Sequence, residues 1–181
     1  DLSGSTRTAY FRKEFPERFF NFGVAEQDMM AAAAGLASCG KIVFASTFAM
    51  FASARALDQV RNSICLNNFN VKIVATHGGI TVGEDGASHQ ALEDINIFRA
   101  IPNMSIIVPC DAKEAKEAII SVYQSPGPFY VRLGRSKIKT IEKRKEFVLG
   151  RGQVLEEGKD LAIISCGIMT QEALAAGEIL S

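Results

Sequence analysis

The chain has 181 residues, 48% of them hydrophobic and 22% charged, which describes one sizeable folded domain rather than a disordered polymer. Its 20 basic and 20 acidic residues cancel, so no net field recruits nucleic acid or anionic lipid, and no apolar run approaches the roughly 20 residues of a membrane span. The first residues lack the pattern of a signal peptide, and the four cysteines show neither C-x-x-C nor a partnering histidine, so the expectation is a cytoplasmic protein with reduced thiols and no metal site of its own.

In chain order, DLSGST opens as a loop, and both ends read as cut from a larger pattern. RFFNFGV (18–24) predicts a strand, followed by the Ala-rich helix AEQDMMAAAAGLASCG, closed by glycine. KIVFAS (41–46) predicts a second strand, and TFAMFASARALDQVRNSICLN a helix with apolar residues recurring at three and four. VKIVAT (71–76) is a third strand and runs into HGGITVGEDGASHQ, which holds both histidines. ALEDINIFRAI predicts a helix, SIIVPC a strand, and DAKEAKEAIISVYQS a helix with Asp111 as N-cap. PFYVRLG (128–134) is a further strand. Residues 135–158 are charged and broken by glycines, as a solvated linker would be, and DLAIISCG with TQEALAAGEIL predicts a renewed strand-helix unit.

Apolar strands that alternate with helices predict a doubly wound α/β domain, with a mostly parallel sheet covered by helices on both faces. Such sheets bind ligands beyond the carboxyl ends of their strands. Glu26, the residues around Phe48, and His77 all fall there. Each has an ordinary structural reading: an acid in a first helical turn meets the macrodipole, Phe48 and Phe51 fit a core face, and Gly83 and Gly86 fit a tight turn. GEDG matches neither a P-loop nor a dinucleotide fingerprint.

Taken in order, DLSGST, NFGVAEQDM, ASTFAMF, ATHGGITVGEDGASHQ, IPNMSIIVPCDAKEA and PFYVRLGRS closely resemble the pyrimidine-binding module of transketolase. The resemblance implies that residues 1–140 form that module, 141–158 a linker, and 159–181 the start of the family's C-terminal domain. It implies thiamine diphosphate as cofactor and transfer of a two-carbon ketol unit between sugar phosphates. Glu26 would bond the aminopyrimidine ring nitrogen, Phe48 and Phe51 would cradle the ring, and Asp1 would approach the cofactor. Where many relatives carry a further aromatic, this chain has Ala54. Asp85 would bond a substrate hydroxyl, His89 would act near the reacting carbon, and His77, Ser5 and Arg135 would hold the terminal phosphate. The diphosphate and its Mg²⁺ or Ca²⁺ need a G-D-G motif with a later asparagine, which this chain lacks. The resemblance therefore implies a diphosphate-binding N-terminal module or subunit as partner, and self-association. Competing readings are a 1-deoxyxylulose-5-phosphate synthase-like component, which typically lacks the histidine matching His77, a non-catalytic assembly module, and a stand-alone sugar-phosphate-binding domain.

Overall fold

The computed structural model describes residues 1–180. Its centre is a four-stranded, all-parallel sheet of β1 (Val43–Phe48), β2 (Val71–Thr76), β3 (Ser105–Ile107) and β4 (Phe129–Arg132), in the order β1-β2-β4-β3. Five α-helices accompany it: α1 (Ala9–Glu14), α2 (Glu26–Ser38), α3 (Asp94–Arg99), α4 (Ala112–Gln124) and α5 (Met169–Leu180). The segment expected as one helix after β1 is helical, but it widens into π-helical turns at Phe51–Arg55 and Gln59–Cys65.

The strand pleat assigns the two faces. Val71, Ile73 and Ala75 of β2 and Tyr130 of β4 point into one core, shared with Met29, Met30, Ala33 and Ala34 of α2, Val60 and Ile64 of the π-helical segment, and Phe98 of α3. Val131 and Phe129 of β4 face the other way, onto Ala118 and Val122 of α4. Helices therefore cover both faces, as the sequence predicts. Asp111 is the N-cap of α4, accepting from the Glu114 N–H at 2.7 Å, and its second oxygen accepts from Ile141 at 2.9 Å, which ties the linker to the helix.

Two expected strands are absent. Residues 18–24 form no strand: Arg18 ends a 3-10 turn, Gly23 and Val24 both have φ near +65°, which breaks an extended run, and Phe20 is left exposed. Residues 160–167 also form no strand: Leu161, Ile163 and Ile164 stay exposed, and among the described residues no strand pairs with them. Helix α1 has no counterpart in the sequence reading, since none of its residues is buried and it shows no apolar stripe. Among the described residues no helix is long and apolar enough to cross a membrane.

Lys72 sits within the sheet on the α4 side, fully buried. Its ammonium donates to the carbonyls of Ser125 and Gly127, each at 2.7 Å, and lies 4.4 Å over the Phe129 ring. Burial pulls its pKa down from 10.5 to about 8. The folded state thus resists protonation of Lys72 below about pH 8, and the penalty is relieved as pH rises from about 8 to 10.5. Urea denaturation at pH 8 and pH 10 should show the wild-type protein gaining about 2 kcal/mol relative to Lys72→Met over that interval. An equal response in the two proteins would remove Lys72 as the cause.

Candidate functional site

Three neighbouring strands deliver the site to one edge of the sheet. β1 ends in Thr47 and Phe48, His77 follows the last residue of β2, and Arg135 lies three residues past β4. Register places Phe48 opposite Thr76, so the aromatic ring and the histidine emerge side by side. Glu26 enters from the first position of α2.

Glu26 is fully buried. Oε1 accepts a hydrogen bond from Thr47 Oγ1 at 3.0 Å, and Oε2 accepts one from Arg55 Nη1, also at 3.0 Å. The arginine is itself a planar ligand: its guanidinium carbon lies 4.3 Å from the Phe51 ring centroid, and 47% of the side chain is exposed. Phe48 and Phe51 are stacked at 5.8 Å with 13° between planes. His77 stacks on Phe48 at 3.7 Å, and His89 meets Phe51 edge-on at 5.2 Å. Two phenyl rings and two imidazoles thus form one cluster, and Arg55 joins the Glu26 carboxylate to it.

The loop between the histidines is pinned at both ends. Gly78 N–H donates to the Leu133 carbonyl at 3.0 Å, and Gly79 N–H to the Ala91 carbonyl at 2.9 Å. Arg132 braces the same point: Nη2 donates to the Ala91 carbonyl at 3.1 Å, and Nε donates at 2.7 Å to the buried Asp94, which also accepts from the Tyr130 hydroxyl at 2.6 Å. A Cβ on Gly78 would lie 2.8 Å from the Arg132 guanidinium. At the tip, Arg135 donates to the Val82 carbonyl and lies 3.9 Å from the Glu84 carboxylate. Gly83 has φ +83°, a left-handed conformation that favours glycine, and a Cβ there would also come within 2.6 Å of the Arg135 guanidinium end.

The predicted site residues divide. Glu26, Phe48, Phe51, His77 and His89 come together, with Asp85 and Arg135 close enough to act electrostatically on His77. Asp1, Ser5 and His77 each have surroundings of their own. Asp1 is buried, but its carboxylate is engaged with the backbone, accepting from Phe22 N–H at 3.0 Å and Ala25 N–H at 2.8 Å, so it braces the entry to α2 rather than facing the aromatic cluster. Ser5 is exposed in the loop before α1 and bonds neither His77 nor Arg135. His77 does not stand at an open mouth: it is 6% exposed, held at φ +62°, with Nδ1 2.9 Å from Thr76 Oγ1. Thr47 and Arg55 escape the sequence reading. The available signal is an arginine four residues after Phe51 in a stretch of small and apolar residues, which places both on one helical face.

Residues 1–140 match the family described as the transketolase pyrimidine-binding domain. A Methanocaldococcus jannaschii protein assigned as a transketolase C-terminal section is 58% identical over 99% of this chain and 58% of its own length. One subunit of the apulose-4-phosphate transketolase of Phocaeicola vulgatus is 40% identical, with the same two coverages. Among solved structures, a split-gene transketolase in an inactive beta4 tetramer superposes with TM-score 0.88 at 51% identity, over 99% of this chain and 58% of that one. A Pichia stipitis transketolase mutant in complex with xylulose 5-phosphate gives TM-score 0.80 at 31% identity, over 88% of this chain and 24% of that one. The chain belongs to the transketolase family and carries its pyrimidine-binding domain. That membership implies dependence on thiamine diphosphate. The chain spans little more than half the length of the relatives it matches along almost its whole extent.

Burial, and then the positive charge of Arg135, push the His77 pKa below its ordinary 6.5, with Asp85 opposing them. His77 should titrate below pH 6.5 by ¹⁵N NMR, and Arg135→Met should move the midpoint upward. Because the folded state resists protonating this ring, stability falls as pH drops from 6.5 toward that midpoint. A midpoint above 6.5, or one indifferent to Arg135, would contradict the geometry.

Proposed function

We propose that this chain is the pyrimidine-binding component of a transketolase that moves a two-carbon ketol unit from a ketose phosphate to an aldose phosphate. In this reading residues 1–140 are the pyrimidine module, 141–158 a linker and 159–181 the opening of the C-terminal domain. The diphosphate and its divalent cation are held by a separate module or subunit. The relatives that are themselves subunits or sections support that division, as does the split-gene structure described as an inactive tetramer.

The observation that carries the proposal is Glu26: a fully buried carboxylate at the edge of a parallel sheet, already holding a flat N–H donor that lies over a phenyl ring. A pocket that takes a guanidinium in that way has the chemistry for an aminopyrimidine, which offers the same flatness and the same capacity to share a proton with a carboxylate. The fit is therefore good. When bound, thiamine diphosphate supplies a nucleophilic thiazolium carbon and an electron sink for breaking a carbon–carbon bond beside a carbonyl.

The chain's residues supply the rest. Glu26 holds a proton at the pyrimidine ring nitrogen, and Thr47 fixes the carboxylate plane by donating to its other oxygen. Phe48 and Phe51 present ring faces and exclude water. His89, half-buried and 3.0 Å from the Ser88 hydroxyl through Nδ1, carries the proton exchanged at the sugar oxygen next to the breaking bond. Asp85, exposed at the loop tip, accepts from a sugar hydroxyl, and Arg135 pairs with the terminal phosphate through its planar fork. His77 enters that phosphate site from the Phe48 side, while Ser5 reaches it only if the loop before α1 turns inward.

Reconstitution tests the reading. The full-length protein mixed with its diphosphate-binding partner, thiamine diphosphate and Mg²⁺ should transfer a ketol unit from xylulose 5-phosphate to ribose 5-phosphate. Glu26→Gln should abolish transfer while the fold persists by circular dichroism, and turnover near the wild-type rate would exclude Glu26 from the chemistry. Arg135→Ala should raise KM for phosphorylated sugars by about tenfold or more with little change in kcat, since it removes a binding contact made equally before and during reaction.

A further inference from the structure

We infer that Arg55 is an internal stand-in for the aminopyrimidine, occupying its place against Glu26 and Phe51 until the cofactor displaces it. The inference rests on the pyrimidine-site reading of Glu26. Three features of the contact carry it. The guanidinium is flat and lies over Phe51 at 4.3 Å, as a heteroaromatic ring would. It donates an N–H to Glu26 Oε2 at 3.0 Å, the oxygen that Thr47 leaves free. And the two partners differ in exposure: Glu26 is fully buried, whereas 47% of the Arg55 side chain already faces solvent.

That asymmetry sets the direction of exchange. A buried carboxylate without a partner is costly, so Glu26 needs a donor whether or not a cofactor is present. Arg55 supplies one from the flexible end of a long side chain and can withdraw into water without burying its own charge elsewhere. The π-helical turn Phe51–Arg55 presents both residues of the stand-in together, a distortion that recurs at functional sites. Because the guanidinium and the pyrimidine cannot share the same oxygen and the same phenyl face, the cofactor binds only the fraction of molecules in which Arg55 has swung out, and its apparent affinity is lowered by that fraction.

The full-length protein, assembled with its diphosphate-binding partner, is titrated with thiamine diphosphate in excess Mg²⁺ by isothermal calorimetry, with circular dichroism as a check on folding. Arg55→Ala should tighten binding by about tenfold and enlarge the rise in Tm that the cofactor produces. Arg55→Lys keeps the charge but not the planar fork, and should tighten binding by a smaller factor; it also serves if the alanine variant does not fold. In a Glu26→Gln background the same Arg55 changes should leave affinity unaltered, because the carboxylate they act through is gone. Affinity that is unchanged or weaker in both Arg55 variants overturns the inference alone. A folded wild-type assembly that binds no thiamine diphosphate overturns the pyrimidine-site reading, and the inference with it.

Discussion

A carboxylate removed from water and given two donors is the constraint around which this edge of the molecule is organised. Glu26 brings a negative charge to the start of α2, where the free N–H groups of the first helical turn already favour it. Full burial would still be prohibitive without Thr47 on one oxygen and Arg55 on the other. Thr47 can reach because it is the penultimate residue of β1, and Arg55 because the chain turns back over Phe51 immediately after that strand. Strand, turn and helix are thereby fixed relative to each other by one polar contact set, and the two phenyl rings take their places from the same segment.

Around this centre the sheet order matters as much as the residues. With β2 and β4 adjacent, the residues that follow them, His77 and Arg135, come within electrostatic reach of each other. A sheet ordered by sequence would have put β3 between them and separated the histidine from the arginine. The two-sided core, with α2 and α3 on one face and α4 on the other, holds these strand ends at a common level.

Much of this is legible in the sequence, and the boundary falls along physical lines. β2 is legible to the residue because Val71, Ile73, Val74 and Ala75 form a short apolar run that is buried or half-buried on both faces. Asp111 reads as a cap because an acid before a helical repeat has a specific local job. The segment 18–24 misleads because aromatic alternation imitates a strand, while the left-handed turn at Gly23 and Val24 depends on Asp1 accepting from two backbone N–H groups over twenty residues away. Glu26, Phe48, Phe51 and both histidines are legible through the family pattern. Arg55 is not, since its partner is 29 residues distant and its spacing from Phe51 marks a shared face without naming the carboxylate it meets.

The contact between Gly78 and Arg132 has a consequence for how such a protein can diversify. Any side chain at position 78 drives into a guanidinium that is itself locked to Asp94 and the Ala91 carbonyl, so the two hinges of the histidine loop cannot be re-angled independently. Variation that leaves the sheet undisturbed is therefore confined to the exposed crown, at Glu84, Ala87 and Ser88. The loop behaves as a cassette with a fixed mounting and an interchangeable face.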